Sequence, residues 1–391
     1  MNIVEVKDIE QLRAHQDQWN ALLAHANDSS AVFITPAWII SWWQQYQDGK
    51  ELCLLLLFDE DVLVGIAPFA VYRHSFLGVS VRAVRFLGSG QSDHIDLYVH
   101  PDFREQGLPE LVAYLATRVR WHVLDLIDLP EDSPTLALLP SILEQHGLRH
   151  SIERTIVCPY MRIEETDWPR LFAAKRSKST RADLRRRSRR LGELGEVAFR
   201  RHVEPDDILA VFPKLFELYE KRWQGKNLSI GFAGKRERLF YPEAAVALAA
   251  RDALDLVTLE LDGRVLAFSL GAAHGRRFTW LITAYDADFG KYFPGELMLT
   301  HILEQAVTSG EYDEFDFTRG EEDYKYKWAE HDRYNVRLVV ANRSVSNLVP
   351  MAVIVGYTVL RREAKRSKFL RYVKLELLGS MKAMLGRVKI R

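Results

Sequence analysis

The chain has 391 residues, long for one domain and comfortable for two, and its 48% hydrophobic and 27% charged residues make an ordinary globular composition. Fifty-three basic residues balance fifty-three acidic ones, which argues against whole-molecule steering towards nucleic acid. Two cysteines, Cys53 and Cys158, both within apolar runs, exclude a disulfide framework and fit a reducing compartment.

No basic leader precedes an apolar run at Met1, and the most apolar tract, 348–360, is too short and interrupted to span a bilayer. The expectation is a soluble, cytoplasmic protein. Residues 2–6 read as a strand and 8–24 as a helix with Leu12, Trp19, Leu22 and Leu23 inward. Thr35 and Pro36 open the next helix as N-cap and first residue. Its Trp38 and Trp42 share a face, either as core packing or as an aromatic wall beside a cleft. An apolar strand from Leu52 to Phe58, an acidic turn at 59–61 and a return strand from Val62 to Val71 follow. Residues 81–87 form a further strand that runs into Gly88-Ser89-Gly90 and then Ser92-Asp93-His94-Ile95-Asp96. This loop reads either as a substrate-holding element or as a hydrogen-bonded turn.

Helices are expected over 108–120 and 138–146, strands over 121–128 and 151–162, and Pro159 puts the last of these at a sheet edge. Residues 171–194 are strongly basic and read as one long helix, a solvated linker or an anion-contacting surface. No aromatic follows Phe172 in it, which counts against base stacking. Strand 196–202 and helices 206–223 and 241–252 lead to the organising stretch. There, Leu256 to Leu261 is a strand, Asp262-Gly263 a hairpin turn, Val265 to Leu270 the return strand and Phe278 to Tyr285 a third strand. A loop ending in Phe293-Pro294-Gly295-Glu296 starts a helix, and 312–317 is a last short strand opening into Thr318-Arg319-Gly320. A helix N-terminus offers unpaired amides and a partial positive charge, Pro294 has no N–H to waste there, and Gly295 admits a bulky anion. Residues 59–65 match 262–268 without a gap, an internal repeat of one hairpin.

This order resembles the GNAT acyltransferase fold, and Phe86-Leu87-Gly88, Ser92 to Asp96, Leu184 to Leu191, the Pro294-Gly295 turn, Asp316 to Gly320 and Tyr324-Lys325 resemble the two-domain CelD-like and FemABX-like branches. The resemblance implies an α/β (α+β) protein of two tandem GNAT-like domains, each a mixed, mostly antiparallel sheet flanked by helices. The expected boundaries are 1–165, a basic linker helix 166–194, an acyltransferase domain 195–343 and a basic amphipathic tail 344–391, suited either to an anionic membrane surface or to packing back on the body. It implies an acyl-CoA-dependent N-acyltransferase acting on an amino sugar or polysaccharide precursor in exopolysaccharide or envelope biosynthesis. Acyl-CoA would lie at Gly290, Phe293, Pro294, Gly295, Glu296 and Leu297. Asp316 and Tyr285 are the catalytic candidates, and Ser92, Asp93, His94, Trp223, Arg319 and Lys325 would face the acceptor. Trp223 and the loop after it resemble a gating segment. Two alternatives stand beside this: an aminoacyl-tRNA-dependent FemABX-like transferase, and a GNAT-like scaffold that has lost CoA. Neither a P-loop, nor His-Glu-x-x-His, nor a cysteine cluster, nor Gly-x-Ser-x-Gly occurs, so no metal or serine-hydrolase chemistry is expected.

Overall fold

The computed structural model describes residues 1–76, 79–224 and 231–342. In chain order the first half is β1 (Asn2–Val6), α1 (Ile9–Ala14), α2 (Gln16–Leu23), α3 (Pro36–Tyr46), β2 (Lys50–Asp59), β3 (Val62–Phe76), β4 (Val79–Phe86), β5 (Tyr98–Val99), α4 (Arg104–Arg118), β6 (Val123–Pro130), α5 (Pro134–Gln145) and β7 (Arg149–Arg162). The connecting helices are α6 (Trp168–Lys175) and α7 (Lys178–Gly192). The second half is β8 (Val197–Arg201), α8 (Pro205–Trp223), α9 (Glu237–Ala249), β9 (Leu254–Leu261), β10 (Arg264–His274), β11 (Arg277–Tyr285), α10 (Pro294–Thr308), β12 (Glu314–Asp316) and β13 (His331–Ala341).

The strands form one sheet in the order β1-β2-β3-β4-β6-β13-β7-β12-β11-β10-β9-β8, with β5 paired to β3 off this path. Each half contributes four antiparallel strands and a fifth that is parallel to the fourth. The arrangement is a tandem GNAT-like α/β fold. The last strand of each half then crosses over. β7 lies beside β12 of the second half, β13 lies beside β6 of the first, and β7 and β13 pair with each other at the centre.

This crossing overturns the edge position expected for β7. Pro159 is tolerated in the interior because its carbonyl takes the Phe317 N–H, just past the end of the short β12 ladder, and its missing N–H points to the same side. The hairpin repeat is real but one residue out of the sequence match. Asp59 pairs Val62 as Leu261 pairs Arg264, so Glu60 (φ 51°) corresponds to Asp262 (φ 50°). Both return strands then bulge at the equivalent Val64 and Leu266.

The basic stretch is two helices rather than one. Arg176 is extended (φ −132°, ψ 130°), and Ser177 restarts the chain as N-cap of α7, accepting from the Thr180 amide at 3.2 Å. The buried core divides in two. α3, α8 and α9 join the first half's core on one face, while α6, α7 and α10 cover the second half's strands on the other through Leu191, Met298, Leu299, Ile302 and Leu303. Among the described residues no helix is long and apolar enough to cross a membrane. The basic tail expected from 344 onward lies outside the described residues.

Candidate active site

β11 and β12 run parallel for three residues only, from Arg277 opposite Glu314 to Thr279 opposite Asp316. Beyond that they part. Leu281 is the extra residue of a bulge against β10, where Leu270 faces Ile282 and Gly271 faces Trp280. On the other side, Thr318 takes a left-handed backbone (φ 57°) and its hydroxyl donates to the Trp280 carbonyl at 3.2 Å. Into the gap opens a cavity of 540 Å³, lined by Trp280 to Thr283 of β11, by Phe317 to Arg319, by Tyr219 and Trp223 of α8, and by Gln91 and Asp93 of the first half.

The equivalent place in the first half is closed. β4 and β6 pair at only two positions, but the chain after β4 folds back so that the Ile95 amide donates to the Asp128 carbonyl at 2.9 Å. Ser92, His94 and Ile95 are fully buried there. One of the two strand gaps is thus occupied by the chain itself.

The open gap leads along β11 to the start of α10. Thr283 lines the cavity, and two residues further Tyr285 packs its ring on Gly295, where a Cβ would come within 2.8 Å of Tyr285 Cδ1. Phe293 is the N-cap in a left-handed conformation (φ 57°), without a side-chain cap, and the first bond within the helix runs from the Leu297 amide to the Phe293 carbonyl. The Gly295 and Glu296 amides therefore precede the intrahelical ladder, as the sequence reading required. Gly290 has open space around its Cα. A second cavity of 690 Å³ lies between the starts of α7 and α10, lined by Lys175, Arg176, Ser177, Thr180, Phe293, Glu296 and Lys327. Glu296 does not face it uncompensated: its carboxylate pairs with Arg176, whose guanidinium also stands over the Trp328 ring at 5.3 Å. Arg187 lies on the Phe293 ring at 3.7 Å.

Asp316 does not line the cavity. It is fully buried, with His94 Nε2 at 3.0 Å and Arg333 Nη1 at 3.1 Å on one oxygen and the Thr318 amide at 2.7 Å on the other. Burial raises its pKa, but His94 first and then Arg333 outweigh that and hold the carboxyl far below the usual carboxylate range. A group so fixed as an anion is a poor proton acceptor, which argues against the general-base role expected for it. His94 Nδ1 meets Asn335 Oδ1 at 2.8 Å, and Asn335 is oriented by its own Nδ2 donating to the Asp93 carbonyl at 2.6 Å.

The two predicted loops meet here. Arg319 donates to the Asp93 carboxylate and to the Ser92 carbonyl, and Ser92 Oγ accepts from Trp38 Nε1 at 2.9 Å. Ser92, Asp93 and His94 thus latch the first half onto the Asp316–Gly320 turn; only Asp93 reaches the cavity. Lys325 lines the cavity but spends its ammonium on the carbonyls of Thr318 (3.3 Å), Arg319 (2.6 Å) and Gly320 (3.4 Å). Trp223 lines the cavity; residues 225–230 of the expected gating loop lie outside the described residues. Sequence reasoning missed Glu237 as a cavity-lining group. Glu237 begins α9 four residues before the periodic run that marked that helix, so nothing local singled it out.

Residues 178–326 carry an acetyltransferase (GNAT) domain, matched by the family model of that description. The GNAT match spans α7, both walls of the open gap and the α10 turn. No curated protein matches the chain in sequence. The solved structure of FemX is similar over 86% of this chain and 97% of its own, at 12% identity and a TM-score of 0.56. L-PGS of Bacillus licheniformis is similar over 90% of this chain and 98% of its own, at 13% identity and a TM-score of 0.50. A conserved protein of unknown function from Bacteroides thetaiotaomicron covers 87% and is itself covered in full, at 13% identity and a TM-score of 0.53. At these identities the likeness concerns the fold.

Proposed function

We propose that the protein is an N-acyltransferase that moves an acyl group from acyl-CoA to an amine acceptor. The observation that carries this reading is the parting of β11 from β12 beside the uncapped start of α10, with a cleft of 540 Å³ opening into the gap. The carrier's phosphates would rest against the Gly295 and Glu296 amides and the Lys175, Arg176 and Lys327 side chains. The thioester would follow β11 past Tyr285 to the cleft. There the edge of β11 beyond Trp280 has no strand partner among the described residues, and its amides would polarise the carbonyl. The acceptor would enter the cleft between the halves, whose aromatic lining suits a ring such as an amino sugar or polysaccharide precursor.

A second reading has its own support. The basic α7 abuts the donor turn through Arg187 on Phe293, and the FemX likeness extends over nearly the whole chain, so an aminoacyl-tRNA could take the donor's place. Calorimetric titration with acetyl-CoA and longer acyl-CoAs, run beside a tRNA-binding assay at several salt concentrations, separates the two. Micromolar acyl-CoA binding without tRNA binding is expected; tight, steeply salt-dependent tRNA binding alone would replace the donor.

A further inference from the structure

The acids of the cleft are not equivalent. Asp93 is paired with Arg319, and Glu322 with Lys325 at 3.0 Å. Glu237 is held instead by two neutral donors, both from the first half: Tyr46 Oη at 2.9 Å and Gln91 Nε2 at 3.4 Å. Its neighbours in sequence pair elsewhere, Arg236 with Asp48 and Arg238 with Glu220, each at 2.7 Å, while the Arg236 guanidinium stands over the Tyr46 ring at 5.7 Å. Among the described residues no ion pair involves Glu237.

Both donors fall on Oε1. Oε2 lies against Gly234, where an added Cβ would collide with it. The donors are themselves built in. Trp42 Nε1 gives its proton to Gln91 Oε1 at 2.8 Å, which turns the Gln91 amide nitrogen to Glu237. The Tyr46 ring stacks on Trp42 at 5.3 Å, and burial, followed by the Glu237 carboxylate, pushes its phenol far above the ordinary value, so it remains a donor. The cations lining the cleft, Arg319 and Lys325, are already engaged. The cleft therefore offers a fixed carboxylate with no ion-pair partner among the described residues, amid Tyr219, Trp223, Phe232, Trp280 and Tyr324. A half-buried carboxylate held only by neutral donors is a ready partner for a cation.

We propose that Glu237 receives the primary ammonium of a ring-bearing acceptor and takes its first proton. The freed lone pair forms the C–N bond to the thioester carbonyl as the C–S bond breaks. The second nitrogen proton goes to the departing thiolate, and Glu237 returns the first to solvent. This rests on the acyl-transfer reading above, but its binding step does not need the donor.

The test uses the full chain, intrinsic tryptophan fluorescence, and D-glucosamine against D-glucose as probes of one shape and different charge. Glucosamine should bind about tenfold more tightly than glucose. Glu237→Gln keeps an oxygen for Tyr46 and Gln91, so the fold should persist while the preference disappears. With acetyl-CoA present, the same variant should lower kcat/KM for glucosamine by about 10²-fold or more while acetyl-CoA affinity by calorimetry is unchanged. Equal binding of the two sugars by the wild type, no response to either, or a preference that survives Glu237→Gln would overturn the proposal. A glucosamine preference that depends on Glu237, in a chain that binds no acyl-CoA, would leave it standing and remove the donor reading instead.

Discussion

Asp316 shows how little a carboxylate's sequence context says about its work. It closes a strand, precedes a glycine turn and belongs to the family-like motif, yet its oxygens are taken up by His94, Arg333 and the Thr318 amide. Asp316→Asn would leave the buried Arg333 guanidinium facing a neutral amide, a loss of about 3–5 kcal/mol for a broken buried pair. We expect a large fall in melting temperature by calorimetry, with loss of turnover following from it. Because its folded pKa is depressed, the stability Asp316 contributes is present above about pH 4, its unfolded range, and is lost as pH falls below that. Asp96 behaves in the opposite sense. Burial pushes its carboxyl up to about 8, against the hydrogen bond from Ser133. The folded state then keeps a proton that the unfolded chain releases near pH 4. Its contribution is full below that value and declines as pH rises through about 8, so melting temperature should fall between pH 6 and 8. Asp96→Asn should flatten that slope, and an unchanged slope would show that another group sets it.

Elements whose ends carry local chemistry were legible. Thr35 accepts from the Trp38 amide at 3.3 Å with Pro36 at the first position, and Pro294 starts α10, as their sequence contexts required. The break in the basic stretch was not, because Ser177 lies among charges that give every residue around it a helical reading. The hairpin repeat was placed one residue off, since a bulge inserts a residue without changing composition. Gly295 gives the element-level test of the donor route. A valine there would force the Tyr285 ring off the start of α10 and cover the amides. Gly295→Val should weaken acyl-CoA binding about tenfold by calorimetry, while the cleft's response to glucosamine persists. Ser177→Ala should cost about 1 kcal/mol through loss of the α7 cap, read from chemical denaturation.

At the scale of the molecule, two repeated units could be read from the hairpin match and the family resemblance, as could the helix that starts at Pro294. The exchange of β7 and β13 could not, because pairing across some 180 residues leaves no mark on local periodicity; Arg333 faces Cys158 through the fold alone. The exchange has thermodynamic content. β13 pairs along its length with β6 on one side and β7 on the other, so neither half can complete its sheet alone. The full chain should unfold in one calorimetric transition, and residues 1–194 expressed alone should show no cooperative unfolding. Two separated transitions would mean that the halves are independent.

The traded strands also bear on how such a chain can change over generations. A tandem copy joined only by a tether can be deleted, duplicated again or recombined into other genes. Here deleting the first unit, whose own gap is stopped by Ile95, would strip β12 of its innermost neighbour, β7.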